Sequence, residues 1–185
     1  MPDPIEMLTQ DHRKVETLFE QYRTEPSPTI VEQICTELTV HTAVEEKDVY
    51  PLLGSSIEGG RELRDHAEKE HAEVKQAILG IERAGYGSPE VEAFLQTIMN
   101  GVSEHVTEEE AEVFPAMRSQ MTDARMAKLG EKAQGTKEKL LLEAEQAGPL
   151  IDLTKDELYD MAKAKQIEGR SDMNRQQLIS ALRSS

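Results

Sequence analysis

The sequence has little of what builds a β-rich or disulfide-linked core. Trp is absent, aromatic residues make up only 4% of the 185 residues, and hydrophobic residues make up 37%. Such a composition favours long, charged helices over a sandwich of β-branched strands. Cys35 is the single cysteine, so no disulfide can form within the chain. The composition therefore predicts an all-α protein.

The chain also lacks the apolar segments that direct proteins into or across membranes. No run approaches about 20 apolar residues, the length of a membrane-spanning helix. The first residues have neither the basic region nor the apolar region of a secretory signal. Because the cysteine is also single, we expect a cytoplasmic protein with no membrane partner.

Basic residues are scarce in most of the chain. Residues 1–148 hold 15 Lys and Arg against 30 Asp and Glu, whereas residues 149–185 hold 6 of each. All of the net charge of −15 therefore lies in the larger part. Because such a surface repels phosphate backbones, we do not expect residues 1–148 to bind nucleic acid. The neutral tail carries no such excess of negative charge.

Four segments carry apolar residues at helical spacing. They run from about Pro4 to Arg23, from Thr29 to Leu53, from Leu63 to Ile81 and from Val91 to Ala116. The connections between them are short, which implies antiparallel neighbours. We therefore predict an up-down-up-down four-helix bundle over residues 1–120.

A helical connector or cap is predicted to follow the bundle over residues 121–148. Its apolar pattern is weak, and Gly130 and Gly135 are expected to break or bend it. The Gly148-Pro149 step then marks a boundary.

The last segment, residues 149–185, is predicted to form a small helical module. Capping patterns at Thr154-Lys-Asp-Glu157 and Asn174-Arg-Gln-Gln177 indicate the starts of two short helices. An extended link is expected between them. About 35 residues can bury only a small core.

One histidine-carboxylate unit occurs twice in the predicted bundle. The stretch His41-Thr-Ala-Val-Glu45-Glu46-Lys-Asp-Val-Tyr50-Pro51 returns as His105-Val-Thr-Glu-Glu109-Glu110-Ala-Glu-Val-Phe114-Pro115. In each copy the histidine and the first glutamate are four residues apart, so on an α-helix both side chains lie on one face, one turn apart. The second glutamate of each copy, Glu46 or Glu110, is expected to point away from the core.

Four histidines and two glutamates fall on the core-facing stripes of the predicted helices. They are His12, His41, Glu45, His71, His105 and Glu109. A carboxylate in an apolar seam is costly unless it is paired or coordinates a cation, and no Lys or Arg occupies a neighbouring seam position. One such unit alone is usually a solvated pair, but two copies with companion histidines favour a site for two divalent or trivalent cations.

These residues resemble the motifs of the hemerythrin-like, HHE cation-binding family over about residues 4–118. The likeness rests on Asp11-His12-Arg-Lys-Val, on the two repeated units and on Glu70-His71-Ala-Glu-Val-Lys. It implies a non-haem di-iron centre of two iron ions with an oxo or hydroxo bridge. Glu45 and Glu109 would be the bridging carboxylates, and the four histidines would be terminal ligands.

The sequence departs from that family at the fifth histidine ligand. Hemerythrin has two histidines four apart on its third helix, whereas here position 67 is Ala and the spare histidine is His66. Because His66 lies five residues before His71, it is turned about 140° from an aligned position. It either reaches in from the side or is an ordinary exposed histidine. Tyr50 is the other candidate, as a ligand or its hydrogen-bond partner, unless Tyr50 and Phe114 simply close the core.

The resemblance implies a protein that handles O2, hydrogen peroxide or nitric oxide at an open iron position. Because fewer nitrogens than in hemerythrin favour redox turnover, the preferred hypothesis is catalase-like disproportionation of peroxide in defence against oxidative or nitrosative stress. The alternatives are reversible O2 binding or sensing, iron donation for repair of iron-sulfur clusters, and a metal-free interaction bundle. No catalytic side chain is assigned beyond Tyr50, near the open position, and no oligomeric state is assigned.

The tail resembles the helix-extended-helix modules of the Rho-terminator N-terminal and SAP types. The likeness rests on Leu153-Thr-Lys-Asp-Glu-Leu158, Ile167-Glu-Gly-Arg170 and Met173-Asn-Arg-Gln-Gln-Leu178-Ile179. It implies nucleic-acid contacts within residues 150–183 through a set of basic side chains: Lys163, Lys165, Arg170 and Arg175. Because the tail has no net charge, contact with protein or covering of the bundle is the preferred hypothesis.

Overall fold

The computed structural model describes residues 3–146 and 153–183, and every regular element in these two ranges is helical. The prediction of an all-α protein is therefore confirmed for these residues. The predicted boundary at Gly148-Pro149 lies outside them, as do residues 150–152, 184 and 185 of the predicted module. The up-down-up-down order of the bundle stays a prediction.

The first two helices begin at prolines that follow capping side chains. Helix α1 covers Pro4–Thr24, and the Asp3 carboxylate accepts hydrogen bonds from the first free N–H groups of that helix. Helix α2 covers Pro28–Val44, and the Ser27 hydroxyl accepts the N–H of Ile30. Proline suits the first helical position because its missing N–H would have no partner there. The two helices pack against each other.

The second and fourth predicted helices each contain a π-helical segment of five residues. Helix α2 continues through a π segment at Glu45–Val49 into α3, Tyr50–Ser56. After α4, which covers Gly60–Ala84, the same arrangement recurs as α5 Val91–Glu108, a π segment Glu109–Val113, and α6 Phe114–Gln120. The second and fourth predicted helices thus each end a few residues later than predicted. Helix α4 packs along α5.

The core of the bundle is mostly aliphatic. Its fully buried apolar side chains come from every helix named so far: Leu8, Ile34, Leu53, Ile81, Leu95, Ile98 and Met117. The buried polar residues, described below, interrupt this core at one level.

Helix α7, Asp123–Gln146, is unbroken, contrary to the predicted break at Gly130 or Gly135. Its buried residues recur three or four apart, which gives it one continuous packed face: Met126, Leu129, Ala133 and Thr136. Two ion pairs also tie it to the bundle, Lys132 with Asp48 at 3.0 Å and Lys137 with Asp11. Packing and ion pairs outweigh the roughly 1 kcal/mol that an interior glycine costs a helix.

The chain divides into two compact units, one ending at Lys139 and one beginning at Leu140. The second unit contains α8 Lys155–Ala164, a 3₁₀ turn Arg170–Asp172 and α9 Arg175–Arg183. Both predicted capping patterns are confirmed, because Thr154 and Asn174 exchange reciprocal hydrogen bonds with the residues three positions later. A small core holds this unit together: Leu158, Ala162, Leu178, Ile179 and Leu182.

Over residues 3–146 and 153–183, the helices are too short or too polar to cross a membrane.

Two glycine substitutions test how closely α3 and α4 approach. A Cβ on Gly60 would lie 2.1 Å from the Leu53 carbonyl oxygen, whereas a Cβ on Gly135 would meet no atom within 4 Å. We expect Gly60→Ala to lower the free energy of unfolding by about 2 kcal/mol or more, because backbone must move. Gly135→Ala should raise it by about 0.5–1 kcal/mol. Urea unfolding measures both, and equal effects would contradict the close approach.

Candidate metal centre

The six predicted ligands all lie buried at one level of the first unit. None of them exposes more than 6% of its surface. They form two overlapping groups whose nitrogen and oxygen atoms lie within 4.8 Å of one another. One group contains His12, His41, Glu45 and Glu109, and the other contains Glu45, His71 and His105.

Glu45 belongs to both groups. Its Oε2 lies 3.1 Å from His41 Nε2, 3.3 Å from His71 Nε2 and 3.8 Å from His105 Nε2. The Nε2 atoms of His71 and His105 are 3.3 Å apart. Ligands that bind one metal ion at about 2.1 Å are separated by about 3 Å, so these distances fit coordination by shared ions.

Glu109 completes the site from the second repeat. Its Oε2 lies 3.4 Å from His12 Nε2 and 3.9 Å from His105 Nε2. It therefore reaches a histidine of each group, as Glu45 does. Two carboxylates that each touch both groups are placed to bridge a pair of ions.

Several of these buried atoms have no hydrogen-bond partner among the described residues. They are the Nε2 atoms of His12 and His41, Oε1 of Glu45 and both carboxylate oxygens of Glu109. Buried polar atoms are normally satisfied, so a group of orphaned ligand atoms at one point requires a partner. Imidazole and carboxylate donors suit iron, manganese or zinc, and the residues present fit such ions.

The π segments explain why each repeat ends in an aromatic residue and a proline. Pro51 has no N–H, and its ring would clash with the carbonyl four residues earlier in an α-helix. In the π segment, the N–H of Tyr50 instead donates to the carbonyl of Glu45, and that of Phe114 to Glu109. Because a π turn closes over five residues, Tyr50 and Phe114 return to the face of their glutamates.

Tyr50 therefore lies inside the cluster. It is fully buried, its hydroxyl is 3.5 Å from Glu45 Oε2 and 3.2 Å from His71 Nε2, and its ring stacks on His71. Phe114 occupies the equivalent place in the other half and stacks on His12. At this position the two halves of the site differ by one hydroxyl group.

Four further carboxylates hold the outward nitrogens of the histidines. The Nδ1 atoms of His12, His41, His71 and His105 lie 3.0, 3.8, 3.1 and 2.9 Å, respectively, from carboxylates of Glu110, Asp11, Glu46 and Glu70. Such contacts direct Nε2 inward and raise its basicity toward a metal. Sequence reasoning missed these roles and placed Glu46 and Glu110 away from the core. The signals were an acid directly before His12 and His71, and a Glu-Glu pair in both repeats.

Three of these four carboxylates also contact a cationic side chain. Lys137 pairs with Asp11, Lys75 with Glu46 at 2.6 Å, and Arg13 with Glu110 at 2.7 Å. Within the described residues, Glu70 has no ion pair with Lys or Arg.

The structure does not bring His66 into the buried cluster. More than half of its side chain is exposed, and its Nε2 lies 3.0 Å from Glu108 and 3.7 Å from Glu70. His66 and His71 are five positions apart on a regular α-helix. No π turn lies between them to return His66 to the inner face, as happens for Tyr50. His66 thus stands with two carboxylates in a third, partly exposed group.

The buried charges shift one another's pKa values. Burial lowers the pKa of His41, but the charge of Glu45 and the nearby Asp11 carboxylate more than offset this and raise the pKa to about 10. Burial likewise lowers the pKa of His105, while the neighbouring Glu45 carboxylate and a hydrogen bond to Glu70 raise it to about 10. Burial and the charge of Glu45 together raise the pKa of Glu109. The chain alone therefore balances its buried carboxylates with protons on histidines.

A small cavity of about 20 Å³ adjoins the four histidines. Five aliphatic side chains line it beside the histidines and other polar groups: Val15, Leu38, Val74, Val102 and Val106. A space of this size holds one water-sized molecule. Without movement of side chains, the cavity therefore has room only for a small ligand.

The family model described as the hemerythrin HHE cation binding domain matches residues 3–117. A DNA nickase from Nostoc sp. is 26% identical over 141 residues, which are 73% of this chain and 39% of that protein. The chain therefore spans about two fifths of the length of this relative.

A solved structure has the same fold. It is a hemerythrin HHE cation binding domain-containing protein from Mycobacterium kansasii, with 20% sequence identity and a TM-score of 0.64. The match covers 98% of this chain and 99% of the other.

Loading the metal-free protein should release protons at pH 8. The pKa values of about 10 exceed the usual 6.5 of histidine, so His41 and His105 are protonated in the folded chain between these two pH values. A metal ion binds only neutral imidazole, so loading should release about two protons per chain at pH 8 and fewer as the pH passes 10. A pH indicator in weakly buffered Zn²⁺ titrations measures the release. No release at pH 8 would contradict this charge balance.

Proposed function

This chain belongs to the hemerythrin HHE cation-binding domain family, and from that membership we propose that it is a non-haem di-iron protein. His12 and His41 would hold one iron, His71 and His105 would hold the other, and Glu45 and Glu109 would be shared between them. One observation carries the proposal: two ligand groups that share Glu45. Paired carboxylates and histidines facing one another inside a helical bundle are a recurrent di-iron arrangement.

We further propose that the protein disproportionates hydrogen peroxide. One peroxide is oxidised to O2 and gives up two electrons and two protons, and a second takes them up and becomes two water molecules. When bound, two irons supply a store for the two electrons. The small cavity supports this choice, because it has room only for a small molecule beside the histidines.

The chain itself supplies groups that orient the reactants and move protons. The hydroxyl of Tyr50 contacts Glu45 and His71, so it is placed either to donate a proton or to bind an iron as a phenolate. The valine-rich wall beside the histidines limits access of bulk water. Glu46 and Glu70 hold the Nδ1 atoms of His71 and His105 in place.

Reversible binding of O2 is the second candidate, and the same cavity favours it. It differs from peroxide turnover in its result: a spectrum formed in air would revert under argon. Iron donation would instead appear as loss of iron to an acceptor protein. Chelation that leaves thermal stability unchanged would favour a metal-free interaction bundle.

Action on DNA, suggested by the name of the Nostoc relative, has less support in this chain. The first 148 residues carry all of the net charge of −15. In the tail, Lys165, Arg170 and Arg175 donate hydrogen bonds to backbone carbonyls within their own unit. These basic side chains therefore serve its internal structure, and of the four predicted contacts only Lys163 has no such bond to a backbone carbonyl among the described residues.

Peroxide turnover is tested by O2 evolution from iron-loaded protein. We expect evolution at a rate proportional to iron content, and a loss of at least about 100-fold in His71→Ala, because one iron loses a ligand and Tyr50 loses its partner. An oxygen electrode measures the rate, and Lys14→Ala, at an exposed ion pair of α1, is the control. Equal rates in the loaded wild type and His71→Ala would remove the proposal.

The two roles of Tyr50 give different spectra. A phenolate on ferric iron produces a visible charge-transfer band, which Tyr50→Phe should abolish if the residue is a ligand. If Tyr50 only donates a proton, the spectrum should stay unchanged while O2 evolution falls by about 10²-fold or more. If Tyr50→Phe alters neither the spectrum nor the rate of O2 evolution, the tyrosine serves only packing. Phe114→Tyr tests whether the other half accepts a phenol.

A further inference from the structure

The approximate two-fold symmetry of the site is broken at one carboxylate. Each of the four carboxylates that hold a histidine Nδ1 would be expected to meet a cation. Asp11, Glu46 and Glu110 do so, through Lys137, Lys75 and Arg13. At Glu70, the counterpart of Asp11, the described residues supply no lysine or arginine.

Instead of a lysine or arginine, His66 and a second carboxylate, Glu108, lie beside Glu70. His66 Nε2 lies 3.7 Å from Glu70 Oε1 and 3.0 Å from Glu108 Oε2. His66 and Glu70 are one helical turn apart on α4, and Glu108 comes from α5, so two packed helices present the three side chains together. One imidazole and two carboxylates with open positions for water form a set that binds divalent transition metals.

We propose that His66, Glu70 and Glu108 form an outer divalent-cation site from which metal enters the buried centre. A divalent ion there supplies the positive charge that Lys137 supplies on the opposite side. Two observations beyond the pair of carboxylates point to a cation: a histidine stands with them, and Glu70 has no lysine or arginine partner among the described residues.

Glu70 connects the outer site with the buried centre. One of its oxygens faces His66, and the other lies 2.9 Å from His105 Nδ1. Glu70 also lines the cavity that adjoins the four histidines. Its side chain is 15% exposed, whereas those of His66 and Glu108 are 57% and 53% exposed. The three residues thus lead from solvent to the cavity. The acidic surface attracts cations to this group of residues.

Binding at the outer site is measured with Mn²⁺ on the full chain after iron loading. The electron paramagnetic resonance signal of free Mn²⁺ falls as the ion binds, and we expect one site per chain. His66→Ala and Glu108→Gln should each weaken Mn²⁺ binding at least about tenfold. Removing a residue that only supports a metal ligand already costs about that much affinity. Glu104→Gln is the matched control, because it removes the same charge from the exposed face of α5. Equal Mn²⁺ affinity in all four proteins would overturn the site.

Entry is measured by the rate at which metal-free protein takes up Co²⁺, followed by its visible absorption. The role in entry rests on the proposed di-metal centre. The difference in Mn²⁺ affinity between Glu108→Gln and Glu104→Gln does not, because any Mn²⁺ bound at the buried residues is common to both variants, so the two can fail separately. We expect His66→Ala and Glu108→Gln to load several-fold more slowly and to reach the final absorbance of the wild type and Glu104→Gln. Unchanged rates, or a lower final absorbance, would overturn the entry role.

Discussion

Burial of Glu45 and Glu109 is the constraint on which the rest of the site depends. Both carboxylates are 0–1% exposed, and the groups around them are histidines rather than lysine or arginine side chains. Unpaired charges in such a place would cost several kcal/mol each. The chain alone offsets that cost with protons on His41 and His105, whose pKa values rise to about 10. Two bound cations would replace those protons, and that exchange is the basis of the proposed di-iron centre.

The surrounding charges alternate outward from this centre. Carboxylates hold the Nδ1 atoms of the histidines, and Lys137, Lys75 and Arg13 neutralise three of those carboxylates in turn. Lys137 comes from α7, so this helix contributes to the electrostatics of the centre as well as to the core. The fourth carboxylate, Glu70, faces the exposed His66 instead of a lysine or arginine among the described residues.

Helical periodicity was sufficient to place the six predicted ligands in the core, because each needs only to lie on the inner stripe of a helix. His41 and Glu45 meet because α geometry persists up to Glu45. The contact of Tyr50 could not be predicted in this way, since five α-helical residues would turn it about 140° from Glu45. The π segment before Pro51 removes that rotation, and Asp11 and Glu70 meet histidines only through the packing of helices against one another.

The position of the metal ions tests this interpretation most directly. Crystals of the iron-loaded protein should give two anomalous difference peaks at the iron absorption edge, both within about 2.3 Å of a Glu45 or Glu109 oxygen. The His12 and His41 nitrogens should bind one peak, and those of His71 and His105 the other. A loaded crystal with no peak between the two glutamates, or with iron bound only at the surface, would contradict a buried di-iron centre.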